Sequence, residues 1–232
     1  MNDTHMGDQP DLTPQPDQRG TAASTTVYMH ITEGGRTPVY ATPGSAGCDL
    51  YLARDLTLLP GQQQVLPVNI SLALEPGVEA QIRPRSGLSL KTTLRIPNSP
   101  GTIDCDYRDP VGVIAENTAG LFSMLTDLMR NPQLCAELAS QYRQTTYAAY
   151  LQEQIEPCQI SSWLPEAMAS LPVFLDSRGN PYGTLYLKEG DRIAQMVLSR
   201  YLRADFILHD NPSAIGHNRG GGFGSTGTGT LS

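Results

Sequence analysis

Alternation with a period of two dominates the ordered part of the chain. Val68, Ile70, Leu72 and Leu74 alternate with Asn69, Ser71 and Ala73, and Val78, Ala80 and Ile82 alternate with Glu79, Gln81 and Arg83. Successive side chains of a strand point to opposite faces, so each run reads as a strand with one buried face. Glu75-Pro76-Gly77 between the runs reads as a turn, which predicts a hairpin. Residues 27–31, 111–115, 184–187 and 193–198 are further predicted strands. Many short strands separated by Gly/Pro turns predict a mainly β domain of jelly-roll or distorted-barrel type.

The pattern changes after Asn117. Leu121, Phe122, Met124, Leu125, Leu128 and Met129 recur at helical spacing. Asn131-Pro132 then supplies an N-cap and a first helical residue ahead of Leu134, Leu138 and Tyr142, spaced four apart. Residues 118–182 therefore read as a largely helical insertion in a β domain formed by 25–117 and 183–217. Such an excursion exceeds an ordinary connection and reads either as surface decoration or as a partner-binding element. Residues 1–24 hold four Asp and three Pro with almost nothing apolar, which predicts a disordered tail. Residues 218–232 form a glycine-rich arm.

Composition agrees with a turn-rich β protein: 22 Gly and 18 Pro among 232 residues break helices and serve turns. A net charge of −7 argues against binding a nucleic-acid polymer, which needs a basic stripe, but leaves a single nucleotide open. Cys48, Cys105, Cys135 and Cys158 form no CxxC pair and no zinc spacing, so they are expected to be reduced and mostly packed. The N-terminus lacks a basic start with an apolar run, and no run of about eighteen apolar residues occurs, which predicts a cytoplasmic protein without membrane contact.

Three segments carry candidate chemistry. In Gly101-Thr-Ile-Asp104-Cys-Asp106-Tyr107-Arg108, Asp104 follows an apolar residue and leads into an aromatic one. An aspartate so placed can take a proton from water attacking phosphorus, a role worth about 10²–10⁴ in rate. Strand alternation puts Asp104 and Asp106 on the same side unless a turn separates them. An isolated aspartate is more often a turn residue bonding its own backbone, so its company decides. That company is the Arg85-Ser86 pair and the arm Arg219-Gly-Gly-Gly-Phe223-Gly-Ser225-Thr226-Gly227. Consecutive glycine N–H groups can cradle phosphates, and an aromatic on a mobile arm can stack on a base as a lid.

Ala46-Gly-Cys-Asp-Leu50, Pro84-Arg-Ser-Gly-Leu-Ser-Leu-Lys91, the segment 101–108, Gly190-Asp-Arg-Ile-Ala-Gln-Met-Val197 and the terminal arm occur in that order. This resembles the five-motif pattern of the trimeric dUTPases over residues 25–117 and 183–229. The resemblance implies Mg²⁺-dependent hydrolysis of dUTP to dUMP and pyrophosphate, which keeps uracil out of DNA. It implies that Asp104 orients and deprotonates the water attacking the α-phosphorus, and that Tyr107 packs under the deoxyribose. Asn98, Gly101 and the arm's Phe223 would hold base and sugar. Arg85, Ser86, Gln195, Arg219, Ser225 and Thr226 would contact phosphates, and Asp49 would help hold Mg²⁺ through water. A homotrimer with sites shared between subunits is implied as well.

Three departures stand out. Arg219 and Phe223 are separated by three residues where the family usually has four, so Asn218 takes the usual arginine position. Asp109-Pro110 replaces the usual Gly-Glu, and the insertion follows Asn117. Some phage members carry extra segments near this point, linked there to partner recognition, which points to a viral or phage origin. The rival readings are a nucleotide-gated binding protein acting through residues 118–182 and a dCTP deaminase-like enzyme. A uracil-bonding pocket rejects cytosine by leaving buried groups unpaired.

Overall fold

The computed structural model describes residues 24–154 and 165–217. The strands in chain order are β1 (Tyr28–Ile31), β2 (Val39–Tyr40), β3 (Gly47–Tyr51), β4 (Leu56–Leu58), β5 (Gln63–Pro67), β6 (Ile70–Ala73) and β7 (Val78–Arg83). The short helix α1 (Ser86–Lys91) precedes β8 (Leu94–Arg95), β9 (Gly101–Ile103) and β10 (Gly112–Asn117). The insertion holds α2 (Leu121–Arg130), α3 (Leu134–Gln141), β11 (Arg143–Thr146), α4 (Tyr147–Gln154), α5 (Glu166–Ala169) and β12 (Pro172–Leu175). β13 (Leu185–Leu187) and β14 (Arg192–Arg200) return to the β domain. This is the mainly β, jelly-roll-like architecture expected from the period-two pattern.

The largest sheet has the order β2-β3-β14-β7-β9, and smaller sheets pair β1 with β6, β10 with both β5 and β8, and β13 with β4. Leu50, Leu52, Leu58, Leu66, Ile70, Val113 and Ile193 meet between them, each at most 1% exposed. Burying one such side chain contributes about 1.5–3 kcal/mol before entropy is counted. Among the described residues no helix is long and apolar enough to cross a membrane.

Several local expectations need correction. The turn before Val78 forms, with the Val78 N–H donating to the Glu75 carbonyl at 3.1 Å. The expected hairpin does not: β6 pairs with β1, whereas β7 pairs with β14 and β9. Periodicity reports which face is buried but not which strand lies alongside. Asn131 serves both helices: its N–H closes α2 on the Asp127 carbonyl, and its Oδ1 accepts from the Gln133 N–H at 3.2 Å in the turn that leads into α3, which begins only at Leu134. The insertion also contains a strand pair, β11 with β12, that helical periodicity did not suggest. Arg143-Gln-Thr-Thr146 has no apolar alternation, and its pairing is set by the apolar Val173, Phe174 and Leu175 of its partner. The chain divides into two compact units, Met1–Tyr201, which takes in β domain and insertion together, and Leu202–Ser232. Of the described cysteines only Cys48 is buried, and burial pushes its thiol pKa up; Cys105 is half-buried and Cys135 exposed. Residues 1–23 and Cys158 lie outside the described residues.

Asn117 closes the neck of the insertion. Its side chain is fully buried. The amide Nδ2 donates to the Leu58 carbonyl at 3.0 Å and the Gly183 carbonyl at 2.9 Å. Its Oδ1 accepts from the Thr93 hydroxyl at 2.6 Å and the Ala119 N–H at 3.0 Å. Both lone pairs and both donors are used, so the outgoing and returning chains are fixed to β4 and to the approach to β8. Asn117→Leu strands these four partners, and urea unfolding should show a loss on the order of 3 kcal/mol with an unchanged slope.

Candidate active site

The central sheet lays out one face of the site by register alone. Asp49 of β3 lies opposite Gln195 of β14, which lies opposite Arg83 of β7. Directly paired residues project to the same face, so a carboxylate, an amide and a guanidinium form a row. Gln195 Nε2 donates to the Pro84 carbonyl at 2.8 Å, which fixes its amide. Gly47 makes room for it: a Cβ there would lie 2.6 Å from Gln195 Oε1.

Where β7 ends, Arg85 occupies the N-cap position of α1 and turns toward Asp49. Arg85 Nε donates to Asp49 Oδ1 at 2.7 Å, and Arg85 Nη1 donates to the Arg192 carbonyl at 3.2 Å. Arg192 Nη1 donates to Asp49 Oδ2 at 3.3 Å. The cleft over this row encloses about 410 Å³ and is lined by Ser45, Asp49, Arg83, Arg85, Ser86 and Gln195. Two guanidinium groups, of Arg85 and Arg192, bond the Asp49 carboxylate and a third, of Arg83, lines the cleft, so the site carries a positive excess suited to an anion with several oxygens.

A second concavity of about 250 Å³ is lined by Asn98, Gly101, Ile103, Asp104, Tyr107 and Ile114 among others. Its floor is β9, held against β7 by the Ile82–Gly101 and Ala80–Ile103 pairs. A Cβ on Gly101 would come within 3.0 Å of Asn98 Nδ2, so the backbone must stay bare for the amide to lie across it. The strand ends at Ile103, and the Tyr107 N–H closes a turn on the Asp104 carbonyl at 3.2 Å. That turn separates Asp104 from Asp106. Tyr107 donates its hydroxyl to the Pro110 carbonyl at 3.2 Å, and Arg108 Nη1 donates to the Cys105 and Tyr107 carbonyls at 2.7 and 2.9 Å. Proline at 110 is therefore accommodated, and its carbonyl anchors the tyrosine ring. Asp104 is exposed. Neither its carboxylate nor the Asn98 side chain has a hydrogen-bond partner among the described residues.

The predicted residues thus divide into two groups. Asp49, Arg85, Ser86 and Gln195 share the first cleft, and Asn98, Gly101, Asp104 and Tyr107 share the second. The two linings have no residue in common, so a single chain does not bring the groups into one cavity. Arg219, Phe223, Ser225 and Thr226 lie outside the described residues. Sequence reasoning missed Arg83 and Arg192. Arg83 was visible as an outward position of an alternating strand, but Arg192 is turned to this face by a bulge that periodicity does not report.

Among the described residues no cluster of three or more His, Cys, Asp or Glu could hold a metal ion. Asp49 offers one carboxylate with about four acceptor positions, two of them taken by arginines. This donor set fits Mg²⁺ held mainly by phosphate oxygens and water, since Mg²⁺ keeps several waters and needs few carboxylates.

Fold and site together define a β-barrel protein that handles a phosphorylated nucleotide. The dUTPase family model matches residues 34–127, which include the site residues from Asp49 through Tyr107. The deoxyuridine 5'-triphosphate nucleotidohydrolase of Chlamydia pneumoniae is 42% identical over 111 residues, 47% of this chain and 77% of that protein. The protein of the same name from Anaeromyxobacter sp. (strain Fw109-5) is 30% identical over 190 residues, 82% of this chain and 86% of that protein. The chain belongs to the dUTPase family. Solved structures agree on the fold: Staphylococcus bacteriophage 80alpha dUTPase with dUPNHPP has a TM-score of 0.61 at 19% identity, covering 88% of this chain and all (100%) of that one. The dUTPase from phage phi11 of S. aureus, whose structure visualizes a species-specific insert, has a TM-score of 0.55 at 19% identity, covering 82% and 99%.

Proposed function

We infer that the protein is a dUTP diphosphatase, hydrolysing dUTP to dUMP and pyrophosphate. The observation that carries the mechanism is Asp104: an exposed carboxylate with no hydrogen-bond partner among the described residues, lining a concavity walled by Asn98 and Tyr107. In the proposed mechanism Asn98 bonds the uracil edge and Tyr107, pinned to Pro110, walls off the 2′ side of the sugar. Asp104 orients a water and takes its proton as the oxygen attacks the α-phosphorus; pyrophosphate leaves. Arg85, Ser86 and Gln195 hold the phosphates, and hydrogen bonds to charged oxygens are about twice as strong as neutral ones. Asp49 would help hold Mg²⁺ through water, and the bound ion would supply charge neutralisation on the triphosphate. Phe223, Arg219, Ser225 and Thr226 are assigned to closure over base and γ-phosphate. The reactivity assigned to Asp104 predicts that Asp104→Asn lowers turnover by about 10² or more while dUTP-analogue affinity stays within about threefold. A rate near wild type would remove Asp104 from the mechanism.

The assembly we propose is a homotrimer in which one subunit's phosphate cleft meets another's Asn98–Tyr107 concavity. The separation of the two half-sites in one chain supports this reading. So does the segment after β14, where Leu202, Phe206, Ile207 and Leu208 are each at least 87% exposed. Apolar surface of that kind marks a protein contact. Sedimentation should give the mass of three chains, and replacing Phe206 and Leu208 with Asp should lower that mass and dUTP turnover together.

The insertion, residues 118–182, is assigned to a protein partner rather than to chemistry. Leu125 and Met129, one turn apart on α2, are 45% and 84% exposed. Its ends are adjacent: a Cβ on Gly183 would lie 2.8 Å from that of Ala119. Replacing residues 119–180 with a short linker should therefore preserve dUTP hydrolysis. Loss of folding or of assembly in that variant would make the insertion a structural element.

A further inference from the structure

We propose that Arg192 is a positioning residue for the phosphate cleft, acting through Asp49 to keep the Arg85 guanidinium facing the triphosphate; the proposal rests on the hydrolase reading above. The observation behind it is a break in β14. Arg192 pairs with Tyr51 and Ala194 with Leu50, so Ile193 is an extra residue against two consecutive positions of β3. In a regular strand Arg192 and Gln195, three apart, would face opposite sides of the sheet. The bulge puts both on the site face and buries Ile193 and Ala194 side by side. Bulges occur next to active sites because they re-aim a side chain in this way.

The consequence lies in how Arg85 spends its donors. Its Nε goes to Asp49 Oδ1 and its Nη1 to the Arg192 carbonyl, while Nη2 has no protein partner among the described residues. Asp49 accepts Arg85 with one oxygen only, because Arg192 Nη1 occupies the other. The Asp49 carboxylate is 14% exposed and the Arg85 side chain 25%, so this pairing is partly shielded from water, whereas Arg192 at 54% reaches in from the rim. A guanidinium and a carboxylate left to themselves favour the two-bond fork. With Arg192 in place that fork is blocked, and Nη2 stays free for a phosphate oxygen. Without it, Arg85 can close on both oxygens of Asp49 and withdraw from the cleft.

A double-mutant cycle on the full chain tests this, with Kd for a non-hydrolysable dUTP analogue, kcat and the thermal midpoint measured for each variant. Arg192→Ala should weaken analogue binding about tenfold, with kcat changed less than about threefold. The thermal midpoint should not move, since the side chain is half-exposed. Arg192→Lys, which keeps a cationic donor, should recover most of the loss. In the Asp49→Asn background, where no carboxylate remains to capture Arg85, Arg192→Ala should cost no more than about twofold further. An equal cost in both backgrounds would mean that Arg192 touches phosphate directly, and unchanged binding in Arg192→Ala would mean that it does nothing; either overturns the proposal. A wild-type protein that releases no pyrophosphate from dUTP would instead overturn the hydrolase reading itself.

Discussion

The buried amide of Asn117 is the constraint on which the domain's continuity depends. An insertion of some sixty residues opens a loop whose two ends must be returned to the same place, at an entropic cost that rises only slowly with length. The cost is small provided something holds the ends. Asn117 does so with all four hydrogen-bonding positions of its amide, two to β4 and the returning Gly183, two to Thr93 and the outgoing Ala119. A lone buried amide with missing partners would be a liability, whereas one fully satisfied in a dry core specifies a single geometry. The site gains from this indirectly. β14 enters the central sheet just after the return, and it carries Gln195 and Arg192.

Much of this was legible in sequence, and for identifiable reasons. Val78, Ala80 and Ile82 alternate because β7 has one face in the core, and the same alternation puts Gln81 and Arg83 outward, where Arg83 joins the cleft. Gly101 and Asn98 are short-range partners, so their spacing already constrains the wall they build. What the chain order did not carry was pairing. The run ending at Leu74 and the run starting at Val78 look like two arms of a hairpin, yet they belong to different sheets, because the turn at Glu75–Gly77 serves as well to cross between layers as to reverse within one. The helix start after Asn131 was legible but displaced: the asparagine does bond the Gln133 N–H two residues on, as an Asn-Pro start implies, while the regular helix begins only at Leu134.

Arg192 illustrates a different kind of illegibility. Its signature is a register, two residues on one strand against one step on the other, and register belongs to two strands that lie far apart in the chain. No window of sequence contains it. The adjacent burial of Ile193 and Ala194 is the only local trace, and two apolar residues in a row are ordinary in a central strand.

The two departures from the family pattern that fall near chemistry carry different weight. Asp109-Pro110 follows the turn that carries Asp104 and removes a backbone donor, yet no residue between β9 and β10 is held at positive φ. Residue 110 lies between β9 and β10, outside any ladder, and its carbonyl is used to hold the Tyr107 hydroxyl. Any residue at 110 offers that carbonyl, so the substitution leaves the hold on the Tyr107 hydroxyl in place. The shortened spacing between Arg219 and Phe223 is of another kind, because under the proposed closure the two residues would have to reach different ends of one nucleotide. With one residue fewer between them, an extended chain loses about 3.3–3.6 Å of reach. If that deficit fell at the phosphate end, Arg83 would stand ready: it lines the cleft with a guanidinium whose Nε donates to Gln81 Oε1 at 3.1 Å. A cation fixed on the sheet would make up for such a loss without the ordering entropy that comes with fixing a loop residue.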